Sequence, residues 1–145
     1  MGLDRVREVL SRLGLQPPAG RVLTVGGTNG KGSTITLVHD CLRAAGGNPG
    51  LYTSPHLVAY NERIRIADRP VSDAALMRAF ETVEAARQSV CLTYFEFGTL
   101  AAVVSFAQAG CDAWLQQRRR SSMPTSSCCG ARTPARRTRS SSTMS

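Results

Sequence analysis

Apolar and polar positions in the first part of the chain alternate between helical and strand-like spacing. The short apolar run RVLTV, residues 21–25, predicts a buried strand, and the glycine-rich stretch after it predicts a loop. A strand, a glycine loop and a helix in this order open a β-α-β unit. Helical spacing is found both before the strand (Leu3, Val6, Val9, Leu10 and Leu13) and after the loop (Ile35, Val38, Cys41, Leu42 and Ala45).

The second part of the chain continues the alternation of strands and helices. GLYT (50–53) predicts a strand whose start is limited by Pro49, SPHLVAYNE (54–62) a loop, and RIRIA (63–67) a short strand. Ser72 can cap a helix, and TYFE (93–96) has the spacing of a capping box that opens an almost wholly apolar helix through Ala109. CDAWL (111–115) begins a further strand. This order predicts an α/β fold with a parallel sheet.

Charge divides the 145 residues into two regions. The formal net charge is +8, of which residues 1–115 carry +1 and residues 116–145 carry +7. The first region has the composition of one globular domain. The second has no Ile, Leu, Val or aromatic residue and cannot form a core, so it predicts a disordered basic tail.

The basic tail has two alternative explanations. The tail can be a coding sequence read out of frame. When permissible codons are chosen for it and translated two bases further on, they encode a plausible buried strand. It can also be a nucleic-acid-binding arm, but it lacks the aromatic residues that stack on bases. We therefore expect no nucleic-acid partner.

Cysteine spacing and hydropathy limit the compartment. The five cysteines form no C-x-x-C pair, and no segment approaches eighteen consecutive apolar residues. The amino terminus has no hydrophobic secretory core. We expect a cytoplasmic monomer without a membrane partner.

The stretch VLTVGGTNGKGSTITL, residues 22–37, has the ingredients of a phosphate-binding loop. Glycines allow backbone N–H groups to approach an anion, the helix that follows points its amino terminus at that anion, and Lys31 supplies a point charge. The common pattern G-x-x-x-x-G-K-[ST] fails at Val25 and at Gly32. Asn29-Gly30 can instead be a hairpin turn, although the residues after it have helical rather than strand spacing.

Four motifs in order resemble one enzyme family. They are GTNGKGS (27–33), GLYTSPHL (50–57), NERIRI (61–66) and TYFEFGTLAA (93–102). Together they resemble the N-terminal part of folylpolyglutamate synthase and dihydrofolate synthase in the Mur-ligase superfamily, over about residues 3–115. In that family the shifted glycine loop is the normal form. Another ligase of the superfamily and a non-catalytic nucleotide- or nucleic-acid-binding fragment are the alternatives.

The resemblance implies ATP-dependent amide ligation with ATP and Mg²⁺ as cofactors. A carboxylate of folate or dihydropteroate attacks the γ-phosphate, and the amine of L-glutamate then displaces phosphate. The implied residues are Lys31 as the catalytic cation, Gly27, Thr28, Asn29, Gly30, Lys31, Gly32 and Ser33 on the ATP phosphates, Ser54 on Mg²⁺, and Pro55, His56, Thr93, Tyr94, Phe95 and Glu96 on the pterin side.

Three of these residues can have ordinary structural roles instead. Ser54 can merely begin a Ser-Pro turn, His56 can be a plain loop histidine, and Glu96 can be only the acid of the capping box.

The chain departs from the family pattern at the end of its last predicted strand. The family has a glutamate that holds Mg²⁺ where Gln117 falls, and an amide is a poor substitute because it carries no charge. The remaining strands and the second domain of the family have no counterpart in the sequence, so the resemblance implies that the parallel sheet is incomplete. We therefore expect the 145-residue polypeptide to lack ligase activity and at best to bind nucleotide.

Overall fold

The structure is a computed structural model that describes residues 2–16 and 21–117. The expected disordered tail, residues 116–145, lies outside the described residues from residue 118 onward. Its expected start at residue 116 is wrong, because Gln116 and Gln117 belong to the last described strand. The helices are α1 (Gly2–Leu13), α2 (Lys31–Ala44), α3 (Asp73–Arg87) and α4 (Tyr94–Gln108), with a short 3-10 helix at Tyr60–Arg63. The strands are β1 (Val22–Val25), β2 (Pro49–Tyr52), β3 (Ile64–Ile66), β4 (Arg69–Pro70) and β5 (Ala113–Gln117).

The five strands form one mixed sheet in the order β1-β5-β2-β3-β4. The expected parallel arrangement is confirmed for β1, β5 and β2, whose connections contain helices. β3 and β4 add an antiparallel hairpin to this core. The two residues between them, Ala67 and Asp68, are too few for a parallel crossover, and Ala67 turns the chain with a φ of 56°.

Apolar side chains alternate between the two faces of the sheet, so both faces are covered. On one face, Leu51 and Leu115 pack against Ile35 of α2. On the other, Tyr52 and Trp114 belong to a core cluster with residues of α4. A second cluster joins α1, α3 and α4 to one another, and its members Val9, Val83 and Leu100 are fully buried. The result is a helix–sheet–helix arrangement of three layers.

Both predicted helix caps are confirmed. The Ser72 hydroxyl accepts a hydrogen bond from the Ala75 N–H at the start of α3. Thr93 and Glu96 form a reciprocal capping box at the start of α4. Residues 26–30 lead directly from β1 into α2, so the alternative of a hairpin turn at Asn29-Gly30 is wrong.

The prediction that RVLTV is a buried strand is wrong with respect to burial. The strand forms, but Val22 remains 52% exposed and Leu23 42% exposed. Within the described residues β1 lies at an edge of the sheet and has β5 as its one neighbouring strand. An edge strand packs on fewer elements than a central one, and hydrophobic composition alone does not reveal that position.

The last predicted strand is the centre of the parallel group and runs two residues beyond Leu115. None of the helices in the described part of the chain is both long and apolar enough to cross a membrane.

Candidate functional site

The carboxyl ends of the three parallel strands bring the predicted loops to one edge of the sheet. Val25, the last residue of β1, pairs with Gln117 at the end of β5. Tyr52, the last residue of β2, pairs with Gln116. The glycine-rich loop therefore begins beside the end of β5, and Ser54 follows β2 on the other side of it. Ligands of open α/β sheets bind at this kind of edge.

The glycine loop ends directly at the amino terminus of α2. Gly30 is the N-cap residue in the left-handed region with a φ of 73°, a conformation that glycine adopts without strain. The first turn of α2 contains no acidic residue, so the partial positive charge of the helix terminus has no acidic side chain to neutralise it there. Residues 26–30 and 32–34 are exposed, and their backbone is open to an anion from solvent.

Lys31 folds back over the loop that precedes it. Its Nζ donates to the carbonyl oxygens of Gly27, at 2.5 Å, and Thr28, at 2.9 Å. The ammonium group is thus held above the loop backbone without an acidic partner in the described residues. A cation in this position can exchange these neutral carbonyls for a charged oxygen at little conformational cost.

Ser54 is buried, and its hydroxyl oxygen has no hydrogen-bond partner within the described structure. Its backbone N–H donates to Oε1 of Gln117 at 3.5 Å, which places the predicted metal ligand beside the end of β5. Both side chains offer neutral oxygens, which suit a hard cation but supply no charge. The described residues contain no cluster of three or more His, Cys, Asp or Glu that could hold a metal ion.

Thr93 and Glu96 are occupied by structural hydrogen bonds. One carboxylate oxygen of Glu96 accepts from the Thr93 N–H at 2.8 Å, and the other accepts from Arg5 Nη2 at 3.2 Å. The ion pair of Arg5 with Glu96 holds α1 against the start of α4. Thr93 and Glu96 thus already use their side-chain hydrogen bonds to fix the start of α4.

The structure brings His56 and Tyr94 together around the ring of Tyr60. The ring of Tyr60 lies 5.7 Å from that of His56 and 5.9 Å from that of Tyr94. Phe95 turns toward the core and lies 6.2 Å from the ring of Tyr52. Pro55 is exposed after a cis peptide bond that joins it to Ser54.

Arg63 belongs to this cluster, although no feature of the sequence singles it out. It is 9% exposed, and its guanidinium lies 5.1 Å from the Tyr60 ring centre and 5.6 Å from that of Tyr94. Its Nε–H donates to Nδ1 of His56 at 2.7 Å. The NERIRI motif contains the residue, but its contact with the loop after β2 depends on the three-dimensional fold.

Glu62 shapes the loop that carries His56. Its carboxylate accepts from the backbone N–H groups of Leu57, Val58 and Ala59, at 2.8, 3.1 and 2.9 Å. The hydrogen bonds from Ala59 and Leu57 are the main reason that the pKa of this carboxyl lies below its usual range. The side chains of Leu57 and Val58 are left 91% and 90% exposed.

Comparison with known proteins shows close relatives over most of the chain. The dihydrofolate synthase/folylpolyglutamate synthase of Escherichia coli strain K12 is 47% identical over 112 residues, which are 77% of this chain and 26% of the relative. The chain therefore spans about a quarter of the length of this relative. No protein-family model matches it.

Solved structures agree with the sequence comparison. E. coli FolC in complex with DHPP and ADP has a TM-score of 0.77 at 45% identity, covering 81% of this chain and 28% of that one. A bifunctional folylpolyglutamate synthase/dihydrofolate synthase with Mn, AMPPNP and L-glutamate bound has a TM-score of 0.77 at 46% identity, covering 81% of this chain and 29% of that one.

Proposed function

Because the chain belongs by homology to the dihydrofolate synthase/folylpolyglutamate synthase family, we propose that it carries the nucleotide-binding part of an ATP-dependent ligase. The reaction joins L-glutamate to a folate or dihydropteroate with ATP and Mg²⁺. The solved relatives that contain ADP, AMPPNP, Mn, DHPP or L-glutamate support these ligand classes. Because ATP and folates serve cytoplasmic metabolism, we propose the cytoplasm as the compartment.

The nucleotide phosphates are proposed to lie against the glycine loop and the first turn of α2. The backbone N–H groups of Gly30, Gly32 and Ser33 are available to phosphate oxygens there, beside Thr28 and Asn29. Lys31 leaves the carbonyls of its own loop and donates to the terminal phosphates. ATP supplies the activated phosphoryl group, and the loop holds it and lowers its negative charge in place.

Ser54 is the proposed protein ligand of Mg²⁺. A buried hydroxyl oxygen without a partner is a suitable donor for a hard cation. Gln117 lies next to it but contributes no charge. Most of the compensating charge for a cation at this edge would come from the nucleotide.

The loop after β2 and the start of α4 form the proposed binding region for the pterin side of the substrate. Pro55, His56 and Tyr94 are the accessible members of this region, and Tyr94 is 63% exposed. Phe95 supports the region from the core side. Thr93 and Glu96 contribute by fixing the first turn of α4.

The observation that carries the proposal is the position of Lys31 at the junction of β1, the glycine loop and α2. Lys31 is also the only lysine of the sequence. Selective ¹³C labelling of the lysine Cε therefore gives a single side-chain NMR signal. We expect that signal to shift when ATP is titrated into the 145-residue protein.

Substitution of the same lysine tests the affinity. Lys31→Ala should weaken ATP binding by about 10- to 100-fold, since a hydrogen bond to a charged group contributes about 1.5–3 kcal/mol. Arg78→Ala, which removes an exposed cation from α3, serves as the charge-matched control and should leave the affinity unchanged. Equal losses in both variants, or no binding by the wild type, would argue against the site.

A second titration distinguishes a ligase-type site from simple nucleotide binding. ATP affinity is measured with and without a saturating pteroate. Two sites that serve one reaction should be coupled, so each ligand changes the affinity for the other by the same factor. Independent binding would favour a nucleotide-binding module without the ligase reaction.

A further inference from the structure

Arg63 is a buried cation that has no acidic partner in the part of the chain that the structure describes. In residues 2–16 and 21–117 no carboxylate lies within 4.0 Å of its guanidinium. The acid next to it in sequence, Glu62, instead accepts the three backbone N–H groups of the loop. The faces of Tyr60 and Tyr94 stabilise the charge in place of a carboxylate.

The guanidinium can only donate a hydrogen bond to His56 and cannot accept one from it. Arginine is a donor without acceptor capacity, so its Nε–H must donate to an unprotonated Nδ1. The imidazole hydrogen then resides on Nε2. The 2.7 Å contact and the buried position of Arg63 keep this arrangement in place.

We propose that Arg63 is a positioning residue that fixes His56 as the Nε2–H tautomer. The loop after β2 then presents a hydrogen-bond donor rather than an acceptor, suited to a carbonyl oxygen or ring nitrogen of a bound molecule. The tautomer follows from the contacts alone. Only the assignment of this donor to the pterin-side substrate rests on the proposed function.

The second histidine of the chain provides an internal comparison. Nδ1 of His39 lies 3.1 Å from the carboxylate of Asp40, which can only accept from it. Nε2 of His39 is buried without a hydrogen-bond partner in the described structure. His39 should therefore carry its hydrogen on Nδ1, the opposite of His56.

The direct test is ¹⁵N NMR of the imidazole nitrogens of the wild-type protein at mildly alkaline pH, where an unperturbed imidazole is neutral. The sequence contains two histidines, so two sets of signals are expected, and His39→Gln assigns them. His56 should show an unprotonated Nδ1 and a protonated Nε2, with the reverse for His39. Protonation of His56 at Nδ1, or a mixture of its tautomers, would overturn the proposal.

A pair of variants tests the role in binding. Arg63→Met keeps an apolar stem but removes the donor, and it should yield a mixture of His56 tautomers and weaken pteroate binding about tenfold, with ATP affinity unchanged. Arg65→Met removes the next arginine along the chain, which is half-buried and donates to a backbone oxygen of Asp68 at 3.4 Å. It should leave both affinities unchanged.

The outcomes separate this proposal from the proposed function. A wild-type protein that binds no pteroate but shows the expected tautomers contradicts the substrate assignment and supports the positioning of His56 by Arg63. Pteroate binding with His56 protonated at Nδ1 supports the substrate assignment and contradicts the positioning of His56 by Arg63. If Arg63→Met fails to fold, the wild-type nitrogen spectrum still decides the tautomer.

Discussion

Ser54 and Glu96 differ in how much of their hydrogen-bonding capacity the fold already uses. Both carboxylate oxygens of Glu96 have partners, one in the capping box and one in Arg5. The hydroxyl oxygen of Ser54 has none in the described structure, although it is buried. A buried polar atom without a partner is costly, and a bound cation would remove that cost. Ser54 is therefore better suited to bind a ligand than Glu96.

The charge at the end of β5 is testable with a single substitution. Gln117→Glu would put a carboxylate beside Ser54 in place of a neutral amide. Because a carboxylate attracts Mg²⁺ and repels phosphate, ATP affinity should rise about tenfold with Mg²⁺ present and fall when EDTA removes it. Nucleotide titrations under the two conditions measure the difference.

Gln116→Glu is the matched control for this experiment. The side chains of adjacent strand residues point to opposite faces, and Gln116 lines a cavity with Thr99 and Val103 of α4. Gln116→Glu therefore adds the same charge one residue away but on the other face of the sheet. A similar Mg²⁺ dependence in both variants would mean that the effect is one of net charge and not of a ligand at Ser54.

At the scale of secondary-structure elements, the sequence predicts the helices better than the environment of the strands. Helix spacing and caps are local, so Ser72 and Thr93 could be recognised as N-caps from their neighbours alone. The order β1-β5-β2 depends on a strand that comes last along the described chain. No local pattern could show that Val22 lies at an edge and stays half-exposed.

The capping box of α4 predicts a defined loss of stability. Thr93→Ala removes the hydroxyl that accepts from the Glu96 N–H at 3.3 Å. The free energy of unfolding should fall by about 1 kcal/mol, as for other N-cap truncations. Thr93→Ser keeps the hydroxyl and should retain most of the stability in urea denaturation. An equal loss in both variants would assign the effect to the lost methyl group instead.

The packing of α4 on β2 requires a glycine at position 50. A Cβ there would lie 2.3 and 2.6 Å from ring atoms of Phe106, whose ring also lies 6.3 Å from that of Trp114. Gly50→Ala should therefore lower the free energy of unfolding by about 1–3 kcal/mol, the usual cost of overpacking a core. Chemical denaturation measures the change.

A double substitution identifies the cause of that loss. Phe106→Leu shortens the side chain that meets the new methyl group, so Gly50→Ala should cost less in its presence than alone. Additive losses would mean that the cost arises from strand conformation and not from the contact with Phe106.

At the scale of the whole molecule, the sequence predicts which loops meet but not what fixes them. The parallel strands bring the glycine loop and Ser54 to one edge, as the β-α-β pattern implies. The contact of Arg63 with His56 was not predictable, since it requires a 3-10 helix to turn back on the loop before it. Such contacts depend on backbone geometry that apolar spacing does not encode.

Acid should destabilise the protein through exposed carboxylates that the fold uses as acceptors. The pKa values of Glu62, Asp68 and Glu84 all lie below their usual range, owing chiefly to hydrogen bonds from backbone N–H groups, Arg43 and Arg87 respectively. A carboxyl whose pKa is lower in the folded state stabilises it at pH above the unfolded pKa. That contribution is lost as the pH falls through the folded pKa.

Glu62→Gln tests the contribution of the Glu62 carboxylate to stability. The amide cannot accept hydrogen bonds from all three loop N–H groups as a carboxylate does. We expect the variant to be less stable than the wild type at pH values above the unfolded pKa of a glutamate, and the difference should shrink as the pH falls through the lower pKa of the folded Glu62 carboxyl. Urea denaturation at several pH values measures both proteins. A difference that does not change with pH would mean that the loop is held by its shape and not by the charge of Glu62.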